Sequence, residues 1–113
     1  MHESALARKL LSLIIERAGA VGAHRVVSVH GTIAETERLS AEALSFHFAA
    51  HARGSIAEGA RLLMSLRTVE ARCRGCGTTY LPEHHITLCP NCSETQAELL
   101  GRTGTFIDTI DVE

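Results

Sequence analysis

Two Cys-x-x-Cys pairs carry the strongest chemical signal in this sequence. Cys73-Arg-Gly-Cys76 and Cys89-Pro-Asn-Cys92 stand 12 residues apart and hold all four cysteines of the 113-residue chain. The two-residue spacer lets each pair close a tight turn that aims two sulfurs at one point. Gly75 and Gly77 supply backbone freedom for the first turn, and Pro90 stiffens the second. Two such turns face to face make a tetrahedral cage of four thiolates, which zinc accepts without ligand-field penalty. The competing readings are disulfides, which a reducing compartment disfavours, and an iron centre, which four thiolates also suit. A cage with four protein ligands has no open position, so the spacing points to structural metal and away from metal catalysis. His84 and His85 lie between the pairs, behind Pro82-Glu83, and read as a solvated loop. The sharper reading has one of them exchange with a thiolate or turn to a second metal.

A second constellation opens the chain as Met1-His2-Glu3. The α-amino group, the His2 imidazole and the intervening backbone amides fall within one chelating span. Nitrogen-rich, tetragonal donor sets suit Ni(II) or Cu(II). Glu3 adds a carboxylate, which serves equally well at the N-terminus of a helix through the macrodipole. His47 and His51, at i and i+4, have metal-holding spacing, but Phe48-Ala49 follows His47 where a hydrolytic zinc motif needs Glu. They read as one solvated or half-buried helix face. His24 and His30 flank the first strand. Ser12, Ser28 and Ser65 sit in no nucleophile-elbow sequence, and no glycine-rich phosphate loop is present. The chain does not read as an enzyme.

These residues need elements to position them. Residues 4–18 form an amphipathic helix, with Leu6, Leu10, Leu13 and Ile14 on one face and Gly19 and Gly22 as stop signals. The β-branched stretch 25–33 reads as a strand. Ser40 caps a second helix over 41–52, ended by Gly54. Leu62, Met64 and Leu66 alternate with Leu63, Ser65 and Arg67 in a second strand over 61–70. After the cysteine block, 96–100 and 104–112 are extended, with Phe106, Ile110 and Val112 on one parity. The order helix, strand, helix, strand, cysteine insertion, strand gives an α+β fold. It comprises a three-stranded sheet with two helices plus a small zinc-ribbon-like lobe. About 20 residues build no core without a staple, so the insertion forms a lobe of its own.

Composition narrows the function classes. Hydrophobic residues make up 45% of the chain, which is globular composition. No apolar run approaches the roughly 20 residues of a membrane span, and the start lacks the basic region of a secretory signal. Both features favour a cytoplasmic chain with no membrane partner. The formal charge is −2, and the chain has one Tyr, three Phe and no Trp. Phosphate neutralisation and base stacking are both poorly served, so nucleic acid is not an expected partner.

Further motifs accompany the metal-binding ones in a fixed order. Met1-His2-Glu3-Ser4 leads the amphipathic helix, and Gly54-Ser55-Ile56-Ala57-Glu58-Gly59-Ala60 precedes the second strand. Ala71-Arg72-Cys73-Arg74-Gly75-Cys76-Gly77, Cys89-Pro90-Asn91-Cys92 and Gly101-Arg102 follow, before a final acidic-apolar strand. The ordered set resembles the HypA/HybF family of nickel-insertion proteins over nearly the whole chain. The resemblance implies a nickel metallochaperone for maturation of nickel-iron hydrogenase, and in some organisms of urease. It implies transferable Ni(II) with His2 as the essential ligand and Met1 and Glu3 as contributors. It also implies structural Zn(II) on Cys73, Cys76, Cys89 and Cys92. The implied partners are a nickel-handling GTPase, HypB, the hydrogenase large subunit and, for urease, its accessory proteins; a homodimer is compatible with it. Residues 1–71 and 94–113 then form the nickel-binding α+β domain, with the zinc-binding lobe, 72–93, inserted before the last strand. One departure stands out: family members carry a Gly-x-Leu-Ser-Gly-Val type of turn between the first strand and the second helix. Here the stretch reads Ala34-Glu35-Thr36-Glu37-Arg38-Leu39-Ser40, with Ala34 and Arg38 at the expected glycines.

Two rival readings remain. A zinc-ribbon adaptor in a nucleic-acid or protein complex gains support from Arg72 and Arg74 beside the first knuckle, and predicts salt-sensitive binding with no role for His2. A zinc-dependent enzyme predicts an open metal position and a histidine near the cage that turnover depends on.

Overall fold

The computed structural model describes residues 3–83 and 86–113. Met1, His2, His84 and His85, all marked by the sequence, lie outside the described residues.

Helix α1 (Glu3–Ala20) turns one apolar stripe inward, with Leu6, Ala7, Leu10, Leu11, Ile14 and Ala18 buried at spacings of three and four. Leu11 takes the buried place expected of Leu13, which is only half-buried. The helix also runs through Gly19. Gly22, at φ 69°, is where it stops, with Ala23 N–H donating to Ala18 O at 3.0 Å. Strand β1 (Val26–Glu35) follows, then α2 (Ala41–Ala52), β2 (Arg61–Thr68), β3 (Ala71–Cys73), β4 (Thr79–Tyr80), β5 (Ala97–Leu99) and β6 (Gly104–Val112).

The main sheet has the order β2-β1-β6. β1 pairs parallel with β2 and antiparallel with β6. A parallel neighbour requires a crossover, and α2 supplies it. In register, Val29 lies beside Leu62 and Ile110, and Ile33 beside Leu66. These side chains meet α1 and α2 in one apolar cluster with Leu10, Ile14, Leu44 and Phe48, each no more than 2% exposed. Phe106 and Val112, expected on one parity with Ile110, are exposed, whereas Ile110 packs against the core. The pairing skips one residue between His30↔Thr109 and Gly31↔Ile107. That bulge resets the alternation, so Ile107 and Ile110, three apart, both reach the core. Gly31 sits at the bulge because a Cβ there would run into the Phe106 carbonyl oxygen.

A second sheet, order β4-β3-β5, carries its own small cluster of Ala71, Cys73, Tyr80 and Cys89, with Ala97 against it. It draws on residues outside 72–93: Ala71 pairs with Leu99, and Cys73 with Ala97. Two backbone bonds mark the passage between the sheets. Val69 N–H donates to Glu35 O, and Leu100 N–H donates to Glu70 O, both at 2.8 Å. The molecule is drawn out to 54 × 22 × 17 Å. Its radius of gyration is 16.8 Å, where a single compact body of this length would have about 13 Å.

Candidate metal centre

The four cysteine sulfurs converge, all lying within 4.8 Å of one another. Cys73 Sγ is 3.5 Å from Cys92 Sγ, and Cys76 Sγ is 3.6 Å from Cys89 Sγ. A tetrahedron of sulfurs with ~2.3 Å metal bonds has edges of about 3.8 Å. The donor set therefore fits a four-thiolate metal, and no disulfide joins these residues.

The two knuckles are built to one plan. Cys73 N–H donates to Thr78 O at 2.8 Å, and Cys89 N–H donates to Glu94 O at 3.0 Å. Gly77 N–H returns to Cys73 O, and Ser93 N–H to Cys89 O, both at 3.0 Å. The residue after each second cysteine takes the left-handed conformation, Gly77 at φ 77° and Ser93 at φ 64°. Gly77 thus provides the freedom expected of both knuckle glycines. Gly75 does not enter that region; its open side abuts Glu94 instead. Within the turns, Gly75 N–H and Cys76 N–H point at Cys73 Sγ (3.3 and 3.4 Å), and Asn91 N–H at Cys89 Sγ (3.4 Å). Backbone donors of this kind stabilise thiolate.

Two further donors, Thr78 and Asn91, went unmarked in the sequence. Thr78 Oγ1 lies 3.1 Å and Asn91 Nδ2 3.5 Å from Cys76 Sγ. The first of these contacts, then the second, lowers the Cys76 thiol to about 5. At Cys92 the backbone N–H of Glu94 acts in the same direction, but the neighbouring sulfurs and burial outweigh it, and the thiol is pushed up to about 12. Crowded thiols cannot all ionise without a compensating cation, and this pair shows the split. Desolvation, then the charge of Cys73, Cys89 and Cys92, raises the Tyr80 phenol. Asn91 could have been suspected from its place inside a Cys-x-x-Cys turn; nothing in the sequence singles out Thr78.

At the other end, the described part of the chain start is Glu3 and Ser4. Glu3 Oε2 accepts from the backbone N–H of Ser40 at 2.9 Å, just where α2 begins. Ser40 itself caps that helix, its Oγ accepting from Ala43 N–H at 3.1 Å. Ser4 Oγ meets His51 Nε2 at 3.2 Å. His47 stacks edge-on against Phe46, centroids 5.5 Å apart. On the uncovered face of the main sheet, Asp111 Oδ2 accepts from Ser28 Oγ at 2.5 Å and lies 3.4 Å from His30 Nε2. With the carboxylate in the middle, that trio lacks the serine-to-histidine contact of a nucleophilic triad.

Fold and site together define a two-part protein, a helix-backed sheet joined to a four-cysteine knuckle lobe. A family profile described as "Hydrogenase/urease nickel incorporation, metallochaperone, hypA" matches residues 1–112. The chain is 35% identical over 112 residues to the hydrogenase maturation factor HypA of Xanthobacter autotrophicus, covering 99% of each protein. It is 33% identical to that of Salmonella typhimurium, covering all of this chain and 97% of the relative. The solution structure of the nickel metallochaperone HypA from Helicobacter pylori shares the fold, with a TM-score of 0.64 at 20% identity, over 99% of this chain and 97% of the other. The chain belongs to the HypA family of nickel metallochaperones for hydrogenase maturation. Among the described residues, no helix is long and apolar enough to cross a membrane.

Proposed function

We propose that this protein binds Ni(II) at its chain start and hands it to a nickel-iron hydrogenase during that enzyme's maturation, while a structural zinc holds the cysteine lobe in shape. The observation that carries this reading is a family match running from residue 1 to 112, on a sequence whose first three residues are Met1-His2-Glu3. The α-amino group of Met1, the imidazole of His2 and the backbone nitrogens between them form a chelate of the kind nickel favours. Glu3 adds a further donor beside them, its backbone nitrogen or a carboxylate oxygen, while its Oε2 accepts from Ser40 N–H at the start of α2. It also anchors the first turn of α1 from which the ligands extend.

Cys73, Cys76, Cys89 and Cys92 hold Zn(II). Four soft thiolates at tetrahedral spacing suit that borderline ion, and a filled shell leaves it structural. The protein itself performs no catalysis. It works in the cytoplasm, with the GTPase HypB supplying nucleotide hydrolysis and the hydrogenase large subunit receiving the metal; where a cell makes urease, the same delivery serves it.

Titration of nickel into untagged, zinc-loaded protein should give roughly micromolar affinity (~8 kcal/mol), weak enough for hand-over. His2→Ala should abolish it, and hydrogenase activation in cells should fall with it. Extending the chain N-terminally should weaken binding by blocking the amine. Equal nickel affinity in wild type and His2→Ala would overturn the reading.

A further inference from the structure

We infer that the cleft between the sheet body and the cysteine lobe is a binding site for a small phosphate monoester, held by Arg38 and Arg67. None of the four cysteines lines it, and the nickel reading above does not depend on it.

The cleft has a volume of about 580 Å3, within the roughly 300–1,000 Å3 of small-molecule sites. Both parts of the molecule wall it. Arg38 and Leu39 come from the loop between β1 and α2, and Leu66 and Arg67 from the end of β2. Tyr80, from β4, closes it on the lobe side. Glu70 stands at the joint, where its carbonyl oxygen accepts from Leu100 N–H at 2.8 Å.

The charges in the cleft point to the ligand. Arg25 and Arg72 are paired, with Glu113 and Glu98. Arg38 and Arg67 are exposed, and among the described residues neither has a carboxylate within ion-pair distance. Each guanidinium offers a planar fork that matches phosphate oxygens in pairs. A carboxylate satisfies one such fork. A phosphate monoester, with a charge of about −1.5 to −2 at neutral pH, matches two. Glu70 opposes a bare dianion, but its carboxylate accepts from a hydroxyl. It therefore favours a ligand whose organic part carries hydroxyl groups over phosphate alone.

Two features of the walls fit an organic part as well. Leu39 and Leu66 give it an apolar surface. The Tyr80 hydroxyl is buried and has no hydrogen-bond partner among the described residues. Buried polar groups are rarely left so, and an occupant with an acceptor at the back of the cleft supplies the missing partner. Arg102 makes a natural control. It shares a neighbouring hollow with Arg67, lies over the Phe106 ring at 5.6 Å, and does not line this cleft.

The experiment titrates ribose 5-phosphate, inorganic phosphate and ribose into zinc-loaded protein and follows the backbone amides by NMR. Ribose 5-phosphate should shift the amides of 38–39, 66–70 and 79–81 saturably, and more tightly than inorganic phosphate does. Ribose should shift none of them. Replacing both arginines (Arg38→Gln with Arg67→Gln) should weaken binding about ten-fold or more, while Arg102→Gln leaves it unchanged. No saturable shift at these amides with millimolar ribose 5-phosphate overturns the site. Inorganic phosphate binding as tightly as the ester overturns the ligand class. Equal weakening by Arg102→Gln reduces the site to diffuse surface charge and overturns it too. The wild-type amide map does not depend on any variant folding.

Discussion

The helix-backed sheet and the cysteine lobe solve the same problem by different means. In the first, α1, α2 and the inner face of β2-β1-β6 bury a continuous apolar cluster running from Leu6 to Ala57. In the second, the buried cluster is Ala71, Cys73, Tyr80 and Cys89, and two of those four side chains are sulfurs of the metal site. Apolar burial stabilises by about 25 cal/mol per Å2, and a lobe this small has little of it. Packing therefore gives the sheet body its shape, whereas in the lobe four converging thiols, a donor set that fits a metal ion, stand where a core would be.

The largest effect should come from Cys76→Ser. Structural zinc sites are worth roughly 10–16 kcal/mol of coupled binding and folding, so the variant should lose zinc and amide-exchange protection across 71–99 while α1, α2 and β1 stay protected. Exchange mass spectrometry with metal analysis checks this; simultaneous loss of protection in α1 would mean the two parts fold as one. Phe48→Ala makes the converse test. Its ring is 2% exposed, and the truncation should cost about 3–5 kcal/mol in denaturant unfolding of the body, with zinc still retained against a chelator. Gly31→Ala forces a methyl group onto the Phe106 carbonyl oxygen and should cost about 1–3 kcal/mol, again in the body alone. Ser40→Ala removes the cap on α2 and should lower stability by about 1 kcal/mol, with Ser40→Gly milder.

The smallest signal concerns protons. At pH 7 Cys76, held at about 5, is already a thiolate, whereas Cys92, near 12, must give up its proton to a metal. Zinc binding should therefore release at least one proton and fewer than the four that fully protonated thiols would give. Calorimetry in buffers of different ionisation enthalpy counts them. The sign follows: a Cys76 thiol lowered to about 5 takes up its proton as the pH falls through that value. The metal must then displace that proton too, so zinc affinity should decline more steeply below pH 5 than above it.

Local rules explain what was legible in the sequence. Ser40 announces α2 because a capping hydroxyl is required at that one place. Alternation in Leu62, Met64 and Leu66 gives β2 because only one of its faces meets helices. The Cys-x-x-Cys pairs give the cage because two sulfurs per turn leave few alternatives. Non-local features were hidden. The bulge opposite Gly31 depends on the partner strand, so the parity of β6 was misassigned at Phe106. Strand β5 pairs with β3 across the whole cysteine block, a partnership that no stretch of local sequence encodes. Glu3 and Ser4 meet Ser40 and His51, 37 and 47 residues away. Those contacts exist only once α1 lies on α2, and they set the His51 ring against Ser4 of α1, which no local pattern foretells.

The Glu70–Leu100 bond brings together the two points where the chain leaves the sheet body and returns to it, nitrogen and oxygen 2.8 Å apart. Excising 71–99 would therefore leave two stumps already side by side, which a turn of a few residues could rejoin. The lobe is a cassette hung on a single doorway, and a shortened chain closed there should keep its apolar body folded with no zinc at all.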